Sequence, residues 1–263
     1  MRQGALEGLP FEDVYIFDVH GHLNTNSEML YLDTDAAGVV RTMDRLGVNA
    51  ICVSSLLATT ADCKLGNDLV QKAAKQFPGR IYGYVAATPY YEKFGFEDYF
   101  TPGSGMLGFK IHAAHNGTCI RDERYLPYME FADKNRLLPV LFHAWEKQDV
   151  EDVAYLAETF RNCPLILGHS GVRSYPVRMA AIEAVRKYEN IFVDTAISIT
   201  YDGSLEWLVS RIGADRILYG SDLPFFDCRQ VLGNIALSNL TMEEKEKILG
   251  GNAGKIIRGG VGR

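Results

Sequence analysis

The chain has no apolar run of the roughly 18 residues that a membrane-spanning helix needs. Its opening residues, MRQGALEGLPFEDVYIF, hold no apolar core of signal-peptide length, so a cytoplasmic protein with no membrane partner is expected. Pairs of cysteines spaced as C-x-x-C are absent too. The five cysteines (Cys52, Cys63, Cys119, Cys163, Cys228) are odd in number and scattered, which sets aside a disulfide framework and a thiolate zinc site. They read as reduced thiols, with Cys119 and Cys228 falling just after strands that bear on a site. There is no long block of one charge. With 33 acidic against 27 basic residues and a net charge of −6, neither the basic footprint of a nucleic-acid binder nor a polybasic membrane patch is present. No linker, repeat or low-complexity stretch divides the chain, so residues 1–263 read as one domain.

What the sequence does contain is a short apolar run that keeps returning. VYIFDVH (14–20), AICVSSL (50–56), IYGYVAA (81–87), MLGFKIH (106–112), PVLFH (139–143), PLILGH (164–169), IFVDTA (191–196) and ILYGSD (217–222) make eight. They are near-continuous in Val, Ile, Leu and Phe rather than alternating, as strands buried on both faces are. Between them the period becomes helical. Ala36, Val39, Val40, Met43 and Leu46 lie on one face and Gly47 closes it; Val150, Val153, Ala154, Ala157 and Phe160 repeat the spacing behind Asp149 as N-cap. Thr241 and Glu244 fit a capping box ahead of a last helix expected to stop at Gly250 and Gly251. Residues 88–105 carry only a poor helical pattern and read as a short helix plus loop.

Eight strand–helix alternations fit either a closed barrel or an open doubly wound sheet. No G-x-G-x-x-G follows the first strand, where a dinucleotide fold needs its phosphate turn, and eight strands close a barrel. The expected fold is therefore a single-domain α/β protein, a (β/α)8 TIM barrel.

In such a barrel the chemistry sits at the C-terminal ends of the strands. His20 and His22 end the first run, Lys110 and His112 the fourth, His143 the fifth, His169 the sixth and Asp222 the eighth; His115 follows His112 by three residues. One histidine at a strand end is ordinarily a hydrogen-bonded structural residue. Nearly all the histidines of a chain at strand ends that converge is a different matter. Side chains two apart on a strand share a face, so His20 and His22 can bind one ion, with His143 and Asp222 completing a ligand set that leaves room for water. Asp222 can also receive the proton of a metal-bound water, and His169 is placed for acid–base work. Lys110 reads as an ion-pair partner, a substrate anchor or a carbamylated bridge to a second metal. His112 and His115 read as loop hydrogen-bonders or substrate contacts. Asp18 reads as an orienter of a ligand histidine rather than a residue paired with backbone. Tyr90, Tyr91, Phe94, Trp145, Phe225 and Phe226 suit a planar substrate portion or plain core packing.

FDVHGHL, GFKIH, PVLFHAW, LILGHSG, RILYGSDLPF and ILGGNAGKIIR resemble, in order, the strand signatures of the amidohydrolase superfamily across nearly the whole chain. More narrowly they are similar to the amidohydrolase-related group that holds aminocarboxymuconate-semialdehyde decarboxylase and resorcylate-type decarboxylases beside hydrolases and lactonases. The resemblance implies one divalent ion on the residues matching His20, His22, His143 and Asp222, expected as Zn2+ with Mn2+ the alternative, and acid–base work at His169. A second metal is implied only if Lys110 is carbamylated. After His169 the chain reads Ser170, Gly171, Val172, Arg173 where many relatives carry two glycines, which leaves Arg173 as a substrate-binding candidate. The leading expectation is a hydrolase of a small amide, ester or lactone using water activated by Asp222. The alternative is a nonoxidative decarboxylase of a carboxylated aromatic or dienoic acid, with Arg121, Arg124 and Arg173 as cationic anchors. A small-molecule substrate is the expected partner, and a homodimer is expected by family analogy alone.

Overall fold

In the computed structural model the apolar runs become eight parallel strands: β1 (Phe17–Leu23), β2 (Ala50–Ser55), β3 (Ile81–Ala86), β4 (Met106–Ile111), β5 (Val140–His143), β6 (Leu165–Gly168), β7 (Ile191–Asp194) and β8 (Ile217–Leu218). Each pairs with the next in chain order. The helices are α1 (Arg2–Glu7), α2 (Ala36–Leu46), α3 (Leu56–Thr60), α4 (Cys63–Gln76), α5 (Leu126–Lys134), α6 (Lys147–Thr159), α7 (Tyr175–Lys187), α8 (Ser204–Ile212), α9 (Cys228–Leu237), α10 (Met242–Glu246) and α11 (Asn252–Val261). The structure describes residues 1–25, 32–90, 95–135, 138–169, 174–197 and 201–261, with the backbone alone for 258–261. Tyr91, Phe94 and Arg173 lie outside the described residues. No described helix is long and apolar enough to cross a membrane.

The segment that follows β8 meets β1 through backbone bonds from Val19 N to Tyr219 O (2.9 Å), Asp222 N to His20 O (2.8 Å) and His22 N to Leu223 O (2.7 Å). Parallel pairing throughout, with helices between the strands, is the expected TIM barrel in one domain. Two apolar layers hold it. One lies between strands and helices; the other fills the barrel with Phe17, Val19, Cys52, Tyr84, Leu141, Ile166 and Leu218, and α11 presses Ala253, Ile256 and Ile257 into its lower end. A plugged floor leaves the upper, C-terminal end for chemistry.

Local departures from the sequence reading have local causes. β1 begins three residues later than the apolar run and extends through both histidines to Leu23. Asp149 is not the N-cap of α6: it stands in the first turn and its carboxylate accepts from the backbone N–H of Trp145 (2.9 Å) and Glu146 (2.8 Å). Gly250 and Gly251 do not end the last helix. Their segment, Lys247–Gly251, is a π-turn that runs straight into α11. A Cβ at Gly250 would stand 2.4 Å from Tyr15 O, so this glycine permits the helix to press against β1's approach. The Thr241–Glu244 capping box forms as expected, and Phe96–Tyr99 supplies a single 3-10 turn between β3 and β4.

Candidate metal centre

β1 carries His20 and His22 into the barrel mouth, both buried. Asp222 comes to meet them from beyond β8, which is only two residues long; the chain then turns, and Asp222 takes φ 62. His169 likewise follows β6 at φ 63. Left-handed backbone at two non-glycine residues costs on the order of 1 kcal/mol each and is met here only because surrounding contacts fix it. The chain makes room for His20 with glycine: a Cβ at Gly168 would stand 3.1 Å from its Cε1, and one at Gly220 3.0 Å from its Cβ.

The result is a tight donor group. One ligand atom from each of His20, His22 and Asp222 lies within 4.8 Å of the others. Asp222 Oδ1 is 2.9 Å from His22 Nε2 and 3.6 Å from His20 Nε2. Around them, Lys110 Nζ reaches His20 Nε2 at 2.9 Å, Asp194 Oδ2 holds His20 Nδ1 at 2.6 Å, and Ser54 Oγ sits 3.1 Å from His22 Nδ1.

His143 does not join the group of three. It ends β5 with its ring stacked on His112 (3.9 Å between centroids, 14° between planes) and edge-on to His169 (4.7 Å). His115, exposed, stacks on the other side of His112 (3.4 Å, 7°), and Trp145 lies parallel to His143 (5.6 Å, 17°). His112 and His115 make loop hydrogen bonds as well, from His115 N to His112 Nδ1 (3.2 Å) and between His115 Nδ1 and Thr59 Oγ1 (3.1 Å), while their rings neighbour the site. Phe225 stacks on His22 (4.7 Å, 18°). Phe226 is exposed, as is Tyr90.

Two of the expected cationic anchors are engaged elsewhere: Arg124 is bonded twice to Asp122 (2.8 and 2.6 Å), and Arg121 covers the ring of Tyr155 at 3.9 Å. Lys110, fully buried, is the cation that touches the donor group. Cys119 is exposed, and Cys228 is buried at the start of α9.

Electrostatics favour a cation here. Burial alone would raise Asp222, but the hydrogen bond from His22 and the facing imidazoles of His169, His20 and His22 outweigh it and hold the carboxyl well below its usual range. Burial, then the Lys110 ammonium, keeps His20 neutral; burial lowers His169 to about 3 and also holds His22, His112 and His143 down. Burial lowers Lys110 to about 8 and raises Asp194 to about 6. At neutral pH, two buried carboxylates therefore face one ammonium and a ring of neutral imidazoles. His169 Nδ1 is buried with no hydrogen-bond partner among the described residues, a polar atom left for a ligand. Neutral imidazoles and an ionised carboxylate within one coordination radius are a donor set that fits a divalent ion.

Asp18 touches no imidazole: it accepts from the backbone N–H of His20 (3.0 Å) and Ser221 (3.1 Å) and from the Ser221 hydroxyl, tying β1 to the turn that carries Asp222. Burial raises it to about 7. The carboxylate in contact with a site imidazole from behind is Asp194, to which the sequence reading gives no role. Its signal was present: like Asp222, it is an acidic residue at the end of a run that becomes a parallel strand.

The amidohydrolase family model matches residues 17–259. The chain belongs to the amidohydrolase family. Solved structures with the same fold include 5-carboxyvanillate decarboxylase of Sphingomonas paucimobilis (TM-score 0.72, 14% identity, covering 94% of this chain and 99% of that one). Another is a dihydroxybenzoic acid decarboxylase of Polaromonas with bound manganese and the inhibitor 2-nitroresorcinol (0.73, 16%, 93% and 97%). A third is 4-oxalomesaconate hydratase of Rhodopseudomonas palustris (0.69, 17%, 93% and 96%). At these identities the likeness establishes the barrel; no curated protein matches the sequence. As an amidohydrolase the chain is an enzyme whose His20–His22–Asp222 group can hold a metal ion.

Proposed function

We propose that this enzyme is a metal-dependent nonoxidative decarboxylase of a planar carboxylated acid, aromatic or dienoic. The observation that carries the reading is the flat aromatic lining of the donor group: Phe225 lies parallel to His22 and Trp145 parallel to His143, faces that suit a π-system. The fold it shares with decarboxylases of aromatic acids supports the same reading.

In this account His20, His22 and Asp222, joined by His143, hold one divalent ion, with Mn2+ the first to load because a decarboxylase of like fold carries it and Zn2+ the alternative. When bound, the ion would supply Lewis acidity toward the substrate's oxygens. Lys110, buried beside the donor group, offers the anionic substrate an N–H donor once the ion has taken the His20 lone pair. His169 starts neutral, so it acts first as a base on a substrate hydroxyl or a water. As the carbon–carbon bond breaks, carbon dioxide departs, the bonding pair stays on the ring or diene carbon, and the proton held by His169 goes to that carbon. Phe225 and Trp145 keep the reacting plane fixed while this happens.

The second reading is hydrolysis of an amide, ester or lactone. The observation in its favour is Asp222, held ionised within the donor group and so able to take the proton of an attacking water. The test is one panel with the metal-loaded chain: carboxylated aromatics and dienoates on one side, lactones, esters and amides on the other. Carbon dioxide release without hydrolysis supports decarboxylation. Hydrolysis without carbon dioxide release overturns it in favour of the second reading.

A further inference from the structure

We infer that Asp194 is the positioning residue that sets the tautomer of His20 and aims its Nε2 lone pair into the donor group, an inference that rests on the metal-centre reading above. Asp194 ends β7, fully buried, and its Oδ1 accepts two backbone N–H groups, from His169 at 3.0 Å and Ala196 at 3.1 Å. That pins the carboxylate. Its other oxygen stands 2.6 Å from His20 Nδ1 and can only accept, so Nδ1 carries the ring proton. The opposite edge of the ring gives the same answer independently. Lys110 Nζ, an ammonium with donors only, is 2.9 Å from His20 Nε2, which must therefore bear the lone pair.

His22 is set the other way. Its Nε2 faces the Asp222 carboxylate at 2.9 Å and so carries the proton, while Nδ1 meets Ser54 Oγ at 3.1 Å, a hydroxyl that either donates or accepts. His20 is the ligand prepared in advance. His22 becomes one only when its proton shifts to Nδ1 and Ser54 turns from donor to acceptor. Asp194 also anchors the backbone N–H of His169, whose left-handed conformation needs a fixed partner, so one carboxylate registers two site histidines on three strands' ends.

Asp194→Asn breaks this selectively. The amide oxygen retains the two backbone donors, leaving its NH2 toward His20 Nδ1; the ring then protonates on Nε2 and turns an N–H toward the Lys110 ammonium. Outer-shell partners of this kind are worth about 10–100-fold in metal affinity. The experiment has two arms on the full chain. In metal-free, 15N-labelled protein, long-range 1H–15N correlations read the His20 tautomer, assigned by the signal lost in His20→Gln; a proton on Nδ1 supports the inference, and a proton on Nε2 overturns it. In Mn2+ titration, D194N with retained circular dichroism and about 10–100-fold weaker binding supports it, and unchanged affinity overturns it. If the wild-type chain takes up no divalent ion, the metal-centre reading fails while the tautomer arm still decides the role of Asp194.

Discussion

Replacing Lys110 by methionine should tighten metal binding at pH 7 rather than weaken it. Lys110 Nζ donates to His20 Nε2 at 2.9 Å, the same lone pair that an ion requires, so amine proton and ion compete for one position. Burial lowers the ammonium to about 8. At pH 7 that leaves roughly ten charged amines for each neutral one, so an ion meets a tenfold handicap, about 1.4 kcal/mol. The site histidines add no such slope above pH 6.5, because they are already neutral. Calorimetric titration with Mn2+ from pH 6.5 to 9 should give the wild type an affinity that rises about tenfold per unit and flattens near 8. Lys110→Met should be flat over that range and about tenfold tighter at pH 7. Methionine fills the space without a buried charge, so the variant should be no less stable. A Lys110→Met chain that binds metal more weakly than wild type would refute the reasoning and point instead to a lysine that ligates, as a carbamate would.

His169→Gln should lower kcat by about 10²–10⁴-fold while metal content per chain stays unchanged; unaltered turnover would remove His169 from proton transfer. Acid should destabilise the metal-free fold from about pH 6.5 downward. His169, lowered to about 3 from 6.5, contributes stability present above 6.5 and lost as pH falls toward 3, and His20, His22, His112 and His143 act in the same direction. Asp18 and Asp194, raised to about 7 and about 6, oppose this, since their contribution is lost as pH rises from 3.8 through those values. Five histidines outnumber two carboxylates, so thermal midpoints should drop on acidification, and a midpoint that rises from pH 6.5 to 4 would reverse the assignment. Gly250→Ala should cost about 1–3 kcal/mol in thermal unfolding, because its Cβ would stand 2.4 Å from Tyr15 O, and should leave metal binding intact.

The barrel was legible because a parallel strand buried on both faces writes itself as an unbroken apolar run, and eight such runs have few closed arrangements. His20 and His22 were legible for a related reason: two-residue spacing on a strand fixes a common face. Asp222 and His169 were found by position, though neither lies in its strand; the sequence does not display the left-handed turns that aim them. His143 was read as a ligand from its place at the end of β5; its ring stacks on His112 outside the group of three, and rotamer choice among stacked rings leaves no mark in residue order. Asp18 was singled out and Asp194 passed over because both are buried acids on site strands. Which one reaches an imidazole depends on how β7 and β8 are set against β1, including the irregular register of β1 between Asp18 and Gly21. Gly250 was read as a helix stop because glycine's two uses, ending a helix and admitting a close neighbour, look alike in sequence.

The central claim is that three side chains distant in sequence clasp one cation. Anomalous diffraction from crystals grown with Mn2+ tests it directly. The account predicts a single strong peak within bonding distance of His20 Nε2, a His22 ring nitrogen and an Asp222 carboxylate oxygen; a peak elsewhere, or none at full Mn2+ saturation, would contradict it.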